Sequence, residues 1–353
     1  MIDDDYGRAG VDADRADESV AAIVDVLSRI DPGRARRSQL GSGHYANVVA
    51  LDERTGIALS TDGVGTKVIV AEELGRFDTI GIDCIAMNVN DLVCVGATPL
   101  AAVDYIAVEQ ADPDVLRTVA EGLRAGAEEA GIEIPGGELA QLPEVIRGHP
   151  SPGGIDLVAA CFGTVALDRI VTGERIGSGD AVIGLPSSGI HSNGLTVARR
   201  ALPDLSEAPV EFGGQTVGEA LLEPTVIYVR AVLELLDSDV DVRGLAHITG
   251  GGLLNLLRLG DGVGYRIERP LPRQPIFDLI ASRGEISEEE LLEVFNLGCG
   301  FCCVVAAEHA EASVSALGAR HPGTAVIGEV TGAAGLVQLP ASGLTGRAAV
   351  GFA

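Results

Sequence analysis

The sequence has 353 residues, of which 46% are hydrophobic and 47 are glycine, so it can bury two sizeable cores and needs many tight turns. Its formal net charge is −26, and only 3% of its residues are aromatic, with no tryptophan. A polyanion binds another polyanion poorly, and a base-stacking surface requires aromatic side chains. Both properties argue against nucleic acid as a partner.

Nothing in the chain indicates export or membrane insertion. The start, Met1–Asp5, has neither the basic residues nor the apolar core of a signal peptide. No apolar run approaches the roughly 18 residues that a membrane span requires. We therefore expect a cytoplasmic protein with no membrane partner. In that compartment the six cysteines are expected to be free thiols, and Cys299, Cys302 and Cys303 to lie in a buried, Gly-rich strand with no metal.

Lys67 is the one lysine among 25 basic residues. An acidic chain that keeps arginine and nearly lacks lysine is typical of adaptation to high salt, where screening reduces self-repulsion. A bias in genomic base composition would explain the excess of arginine equally well. Neither explanation accounts for the retention of a lysine at this one position.

The predicted elements alternate between strands and helices along the whole chain. Helices are indicated by apolar residues at helical spacing and by stop or cap residues such as Gly96 and Asp112. In chain order they are a strand at 56–60, a helix at 83–95, a strand at 100–108, a helix at 113–131, strands at 155–165 and 181–185, and helices at 195–202 and 253–259.

A Gly-rich, charged stretch at 168–180 lacks apolar periodicity and indicates a domain boundary. We place an amino-terminal domain at 1–168 and a carboxy-terminal domain at 169–353. Because strand and helix signals alternate in both, we expect an α/β (α+β) protein with two sheet-and-helix domains.

The helix predicted at 83–95 is apolar on most sides, yet it carries Asp83, Asn88, Asn90 and Asp91. Asp83 and Asn90 are about two turns apart and share a face, with Asp91 adjacent. Buried carboxylates are costly unless a cation or a donor satisfies them, and oxygen ligands suit Mg²⁺ held together with substrate phosphates. Capping and hydrogen bonding between helices remain an equal alternative.

Three Gly-rich segments supply further candidate binding groups. In the first, Asp62 to Lys67 (DGVGTK), glycines let the backbone approach a ligand and the lysine offers charge for a phosphate, although a solvent-facing turn is the alternative. In the second, SSGIHSNG from Ser187, hydroxyl and N–H groups surround His191 before a helix start, where an anion could bind; a structural histidine is the alternative. The third, HITGGG from His247, indicates close approach of a ligand or of another backbone.

The segment Asn90–Pro99 contains the pattern D-x-x-x-x-G-A-x-P, which resembles the nucleotide-binding signature of the aminoimidazole ribonucleotide synthetase superfamily. Five further segments, STDGVGTK, IGIDCIAMNVNDL, SSGIHSNG, AHITGGGL and FNLGCGF, narrow the resemblance to the phosphoribosylformylglycinamidine cyclo-ligase family. Together they extend over roughly residues 6 to 332, nearly the whole chain.

This resemblance implies an enzyme of purine biosynthesis that uses ATP and Mg²⁺ to close the imidazole ring of aminoimidazole ribonucleotide. The small-molecule substrate is formylglycinamidine ribonucleotide, and the other products are ADP and phosphate. The resemblance also implies a homodimer whose amino-terminal domains pair their sheets into a barrel.

The resemblance implies a role for each residue that matches the family motifs. The residues expected in catalysis are Lys67 (steadying the transferred phosphate), His191 and Asp91. The residues expected to hold metal are Asp62, Asp83 and Asp91. The residues expected to contact ATP or substrate are Asp62, Gly63, Gly65, Thr66, Asn90, Gly96, Ala97, Glu138, Ser188, Asn193, Thr249, Gly250 and Gly251.

Two segments depart from the family pattern. Gln141 stands where an acid is usual after Gly136-Gly137-Glu138, which removes any metal role at 141, and the early Gly-rich loop is shortened to Leu40–Asn47.

Rival activities fit the sequence less well. Selenophosphate synthetase needs a reactive cysteine early in the chain, the hydrogenase-maturation dehydratase needs one at the carboxy terminus, thiamine-monophosphate kinase lacks the HSNG and TGGG segments, and formylglycinamidine ribonucleotide synthetase is much longer. A non-catalytic nucleotide-binding subunit is the alternative from another class.

Overall fold

The computed structural model describes residues 13–41, 43–260 and 262–353, so the predictions for Met1–Asp5 and for Ser42 within the shortened loop lie outside the described residues. The first unit consists of a helix, α1 (Ala13–Ser28), followed by a five-stranded sheet in the order β1-β2-β5-β3-β4. Its strands are β1 (Asn47–Ala50), β2 (Thr55–Gly63), β3 (Thr98–Val108), β4 (Glu133–Gln141) and β5 (Ile155–Ala166). Strands β3 and β4 are parallel, and the other neighbours are antiparallel.

Helices α2 (Lys67–Leu74), α3 (Ile80–Cys94) and α4 (Pro113–Ala130) belong to the same unit, and α3 packs against both α4 and the sheet. Helix α4 begins as its sequence predicts, with the Asp112 side chain accepting from the backbone N–H groups of Asp114 and Val115. Helices α3 and α4 cross closely because Gly81 lacks a side chain: a Cβ there would lie 2.2 Å from the backbone nitrogen of Leu123.

The second unit has an eight-stranded sheet in the order β13-β12-β11-β8-β10-β6-β9-β7. Its strands are β6 (Ala181–Pro186), β7 (Val242–His247), β8 (Gly264–Ile267), β9 (Cys299–Val305), β10 (Ala325–Thr331), β11 (Val337–Leu339), β12 (Leu344–Arg347) and β13 (Gly351–Phe352). Its helices are α5 (Leu195–Ala201), α6 (Val217–Leu221), α7 (Val229–Leu236), α8 (Pro275–Gly284), α9 (Glu288–Val294) and α10 (Ala310–Gly318).

The predicted elements agree with the structure in kind and nearly in length. The strand predicted at 56–60 extends over Thr55–Gly63, and the helix predicted at 83–95 begins three residues earlier, at Ile80. The helix predicted at 253–259 is present as a 3₁₀ helix, Gly252–Leu259. Gly251 and Gly252 both have positive φ at its start, and Gly252 packs directly on the carbonyl of Leu292, so the entry into the helix is fixed by tertiary contact.

The cysteine-rich segment is a buried strand, as predicted. Every residue of β9 is buried, and all six cysteines are free thiols. Among the residues that the structure describes, no helix combines the length and the apolar character that a membrane crossing requires.

The five-stranded sheet has an unusual outer face, on the side away from α3 and α4. Leu59, Val103, Tyr105 and Phe162 are between 38% and 46% exposed there, and their registers across β2, β5 and β3 put them on one face. A contiguous exposed apolar surface of this kind is typical of an interface.

Candidate active site between the two units

Two carboxylates of the first unit lie close together at the boundary with the second. Asp62 stands near the end of β2 and accepts a hydrogen bond of 2.7 Å from the N–H of Gly63. Burial raises the pKa of Asp62, and the negative charge of Asp91 raises it further. Asp91, on α3, keeps 19% of its side chain exposed. The pair is therefore a partly open, electrostatically crowded site that a cation would relieve.

His247, at the end of β7, joins the second unit to this pair. Its Nδ1 lies 2.9 Å from Oδ1 of Asp91, and its ring is completely buried. Nε2 lies 3.5 Å from the side-chain amide of Asn90. A buried imidazole held at both nitrogens fixes the orientation of the carboxylate that it contacts.

Lys67, expected to steady the transferred phosphate, is enclosed by protein groups in this structure. Its ammonium is completely buried, lies 3.0 and 2.9 Å from the two oxygens of Asp83, and donates a bond of 2.6 Å to the carbonyl of Glu223. Burial lowers the pKa of Lys67, and the charge of Asp83 opposes that shift. The same contact pairs Asp83, which was expected to hold metal, with the ammonium of Lys67.

The stretch Glu223–Tyr228, between α6 and α7, is named here the bridging segment. Asp83 Oδ1 accepts from both the N–H and the hydroxyl of Thr225, at 2.8 and 2.6 Å. Asn90 donates to the carbonyl of Val226 at 2.8 Å and accepts from the N–H of Tyr228 at 3.0 Å. Asn90, expected in nucleotide binding, is thus completely buried and engaged with the protein backbone.

His191 lies on the other side of the bridging segment. Its Nε2 accepts from the N–H groups of Ser188 (3.3 Å) and Val226 (3.5 Å), whereas its buried Nδ1 has no partner among the described residues. Burial, with the charges of His247 and Lys67, lowers the pKa of His191 well below its usual value. The ring is therefore neutral, with its proton on Nδ1. Its φ of +60° is a strained value for histidine, a feature that is concentrated at functional sites.

The remaining predicted residues of the second unit form one neighbourhood. A Cβ at Gly250 would lie 3.6 Å from Oδ1 of Asn193, so the TGGG loop at 249–252 and the HSNG loop at 191–194 are adjacent. Asn193 and Thr249 are partly exposed, and Gly250 is exposed. The two loops together offer hydroxyl, amide and backbone N–H groups to a ligand.

The DGVGTK segment is a turn from β2 into α2. Gly65 has φ +66°, and Thr66, just before Lys67, places its hydroxyl 3.2 Å from that of Thr196 on α5. Gly65 and Thr66 are exposed, so this turn is accessible beside Asp62 as predicted for a binding loop, while its contact with ATP remains a prediction.

Three expected binding residues are placed elsewhere. Gly96 and Ala97, expected to contact ATP, form the turn from α3 into β3, where Gly96 packs on the carbonyl of Arg169 and Ala97 is buried. Glu138 lies opposite Tyr105 in the register of β3 and β4, on the outer face of the sheet. Asp62 lies opposite the buried Ala159 on the other face, so a single chain does not bring Glu138 to the two aspartates.

The residues present fit one Mg²⁺ held jointly with a ligand. In the described part of the chain, no three His, Cys, Asp or Glu side chains are grouped closely enough to hold a metal ion by themselves. Mg²⁺ commonly uses only one or two carboxylates and completes its shell with water and phosphate oxygens. Asp62 and Asp91 meet that requirement, and burial together with the charge of Asp91 raises the pKa of Asp62, which a bound cation would oppose.

Sequence reasoning missed His247 and Thr225. The HITGGG motif predicts its threonine and glycines as binding groups, and the position of His247 directly before this Gly-rich loop is the signal that could have found it. Thr225 carried no signal, because its importance comes from a contact with a residue 142 positions away.

The family described as AIR synthase related protein, N-terminal domain, matches residues 43–165, and the corresponding C-terminal domain matches residues 177–338. The chain is 48% identical over 341 residues to a phosphoribosylformylglycinamidine cyclo-ligase of Methanothermobacter thermautotrophicus, covering 95% of this chain and 97% of that one. It is 47% identical to the enzyme of the same name from Thermococcus kodakarensis, covering 94% and 96%.

Among solved structures, the fold is similar to that of hydrogenase maturation protein HypE in complex with ATP. The TM-score is 0.60 at 22% identity, with 86% of each chain covered. This likeness establishes the shared two-domain fold.

Proposed function

The chain belongs to the phosphoribosylformylglycinamidine cyclo-ligase family, and from that premise we propose that it closes formylglycinamidine ribonucleotide to aminoimidazole ribonucleotide, consuming ATP and releasing ADP and phosphate. The observation that carries the proposal is the junction of Asp62 and Asp91 from the first unit with His247 from the second. His247 directly precedes the TGGG loop, which is adjacent to the HSNG loop, and both loops offer hydrogen-bond donors.

The chemistry requires activation of a poor leaving group. Transfer of the γ-phosphoryl group to the formyl oxygen makes an iminophosphate and releases ADP. The amidine nitrogen then attacks the same carbon, the carbon–oxygen bond breaks, and phosphate leaves with a proton lost from nitrogen. Such a reaction depends on positioning and charge neutralisation more than on a covalent group of the protein. The absence of an obvious nucleophile from the predicted residues is consistent with it.

We assign Mg²⁺ to Asp62 and Asp91, where it would neutralise phosphate charge when bound. The exposed residues Gly65 and Thr66 follow Asp62 in the turn and offer backbone N–H groups to a phosphate, whereas the N–H groups of Gly63 and Val64 donate within the protein. Asp91 would be oriented for this role by His247, since one of its oxygens is already held at 2.9 Å.

We assign the substrate to the second unit's side of the site. His191 is the candidate hydrogen-bond donor to a substrate oxygen: its Nδ1 has no partner among the described residues, and because the ring is buried, this contact requires the histidine loop to open toward the substrate. Asn193 and the loop at Thr249–Gly251 contribute further polar contacts. The ribose phosphate of the substrate requires such N–H and hydroxyl donors.

We also propose that two copies pair through the outer face of the five-stranded sheet. The support is the exposed apolar surface of Leu59, Val103, Tyr105 and Phe162. Pairing would bury these side chains and would place Glu138, which lies on the same face, inside the interface. From that interface Glu138 could contribute to a site formed by the two copies. The domain boundary is proposed at 168/169, between the last strand of one sheet, ending at Ala166, and the first of the other, starting at Ala181.

The test is a direct assay with formylglycinamidine ribonucleotide, ATP and Mg²⁺, in which the aminoimidazole product is detected as a diazotisable aromatic amine and ADP is measured separately. We expect equal amounts of both products, with neither formed in excess chelator. Asp91→Asn should abolish turnover, whereas the exposed Asp239→Asn should not change it. Turnover of thiamine monophosphate or selenide in its place, or nucleotide binding without turnover, would overturn the proposal.

A further inference from the structure

Three buried side chains of the first unit form hydrogen bonds to the bridging segment of the second. Lys67, Asp83 and Asn90 are each completely buried, and each bonds to the main chain of that segment. The five hydrogen bonds run from Lys67 to the Glu223 carbonyl, from the Thr225 N–H and hydroxyl to Asp83, from Asn90 to the Val226 carbonyl and from the Tyr228 N–H to Asn90. The spacing of Asp83 and Asn90, about two turns along α3, lets the segment lie along the helix axis.

A buried ion pair makes this contact at a high cost in desolvation free energy. Taking a cation and an anion out of water costs more than their attraction returns unless the remaining donors and acceptors are also satisfied. Here the Glu223 carbonyl accepts from Lys67 and both polar groups of Thr225 donate to Oδ1 of Asp83, whereas Oδ2 is faced by the ammonium of Lys67 alone. An apolar pair would hold the two units together without dictating which backbone groups meet. The ion pair does dictate them, because a displaced segment would leave a buried charge unsatisfied.

The opposite side of the bridging segment contacts the loop that carries His191. The Val226 N–H donates to His191 Nε2 at 3.5 Å, Ser188 donates to the Pro224 carbonyl at 2.5 Å, and the hydroxyls of Ser192 and Thr225 lie 3.3 Å apart. Thr225 therefore contacts Asp83 on one side and the histidine loop on the other. The segment is a spacer between α3, which carries Asp91, and the histidine loop.

We propose that Lys67 and Asp83 are positioning residues: their ion pair fixes the bridging segment and thereby sets the distance between the carboxylates of the first unit and the histidine loop of the second, without contact to ATP or Mg²⁺. The catalytic consequence rests on the proposed function, but the structural consequence does not. The retention of one lysine in a chain of arginines follows directly, since a planar guanidinium is too large for a site closed by one carboxylate and one carbonyl.

The first experiment needs no activity. Hydrogen exchange is measured by mass spectrometry on peptides covering 222–229 in the wild type, Lys67→Met and Asp83→Asn. We expect exchange in this peptide to accelerate at least about tenfold in both variants while peptides from β5 and β9 stay protected. The matched control is Arg117→Met, which removes an ion pair of similar chemistry that is fully outside the site. Unchanged protection of the segment in both variants would overturn the proposal.

The second experiment separates positioning from phosphate contact by kinetics. Each single substitution should lower kcat by at least about tenfold with little change in KM for ATP. The double variant Lys67→Met/Asp83→Asn should recover at least about fivefold of that loss, because it leaves no unpaired buried charge. A lysine that binds phosphate gives the opposite pattern: KM for ATP rises in Lys67→Met, and removal of Asp83 rescues nothing.

Thr225→Val is the milder variant if the charge changes prevent folding. It removes one of the two Thr225 donors to Asp83 and leaves the backbone N–H and the ion pair in place, so it should perturb the fold less than the charge changes do. We expect the same direction of change in both experiments. If the wild type makes no aminoimidazole product, the proposed function fails, and the exchange measurement still decides the positioning role.

Discussion

Asp91 and His247 are 156 positions apart in the sequence and 2.9 Å apart in the structure, one from each unit. The histidine is fully buried and the aspartate keeps 19% of its side chain exposed, so the contact points from the interior toward the open site. A carboxylate fixed at one oxygen presents the other in a defined direction, which is what a metal bound with few protein ligands requires.

The main effect of His247→Ala should therefore be a weaker affinity of the enzyme for Mg²⁺. We expect the Mg²⁺ concentration for half-maximal turnover to rise by roughly 10-fold or more, in line with the loss of a group that orients a metal ligand. A titration of activity against Mg²⁺ at saturating ATP measures it. His149→Ala, at a half-exposed histidine far from this contact, is the control and should leave the titration unchanged.

Asp62→Asn is expected to stabilise the protein while it removes activity. Because the folded-state pKa of Asp62 is raised, the folded protein binds this proton more tightly than the unfolded chain does. The free energy of unfolding therefore falls as pH rises from the ordinary aspartate pKa through the raised one. At neutral pH the charged side chain destabilises the folded protein. Removal of the charge should raise the melting temperature by about 1–3 °C without Mg²⁺.

The control for Asp62→Asn is the exposed Asp239→Asn, which should change the melting temperature little. Mg²⁺ should stabilise the wild type more than the Asp62 variant. A lower melting temperature for Asp62→Asn at neutral pH would show that the carboxylate is compensated in the folded protein.

His191 should act as a neutral group. Since its folded-state pKa is lowered, the unfolded chain takes up a proton below the ordinary histidine pKa and the folded protein does not. Its contribution to stability is thus present at neutral pH and is lost as pH falls below about 6.5. The difference in free energy of unfolding between wild type and His191→Gln should change across that range, while the pH profile of kcat keeps its shape. An acid limb of the kcat profile that disappears in the variant would identify His191 as a proton-transfer group.

Phe162→Asp should convert a dimer into a monomer. Phe162 lies on the central strand of the sheet's apolar face, and a charge there cannot be buried against a second copy without a partner. Light scattering coupled to size exclusion gives the mass directly. Val210→Asp changes a side chain that is 93% exposed away from the sheet and should leave the mass unaltered. A wild type that is already monomeric at micromolar concentration contradicts the dimer.

Salt should stabilise the fold. With a formal net charge of −26, screening of self-repulsion is expected to raise the melting temperature steadily between low and molar KCl. Differential scanning calorimetry across that range is the measurement. A flat or falling curve would leave base composition as the explanation for the near absence of lysine.

The sequence by itself determined the local elements and the chemical inventory. Apolar spacing, the Asp112 cap and the Gly-rich breaks predicted the main helices and strands, because these signals act over a few residues. The motifs were specific enough to identify the family, and they singled out Asp62, Asp91 and the loops at 191–194 and 249–252, which the structure places along the boundary between the units.

Only the tertiary structure decided which of those polar groups face a ligand and which face each other. The sequence predicts that Lys67 binds phosphate and that Asp83 holds metal. In the structure the two side chains form an ion pair with each other, because charges buried away from water must pair. The motif also predicts Glu138 in this site. Because successive side chains of a strand point to opposite faces of the sheet, Glu138 lies on the face opposite to the aspartates. A motif records the type of side chain at a position, whereas its partner is selected by the packing of segments far apart in the sequence.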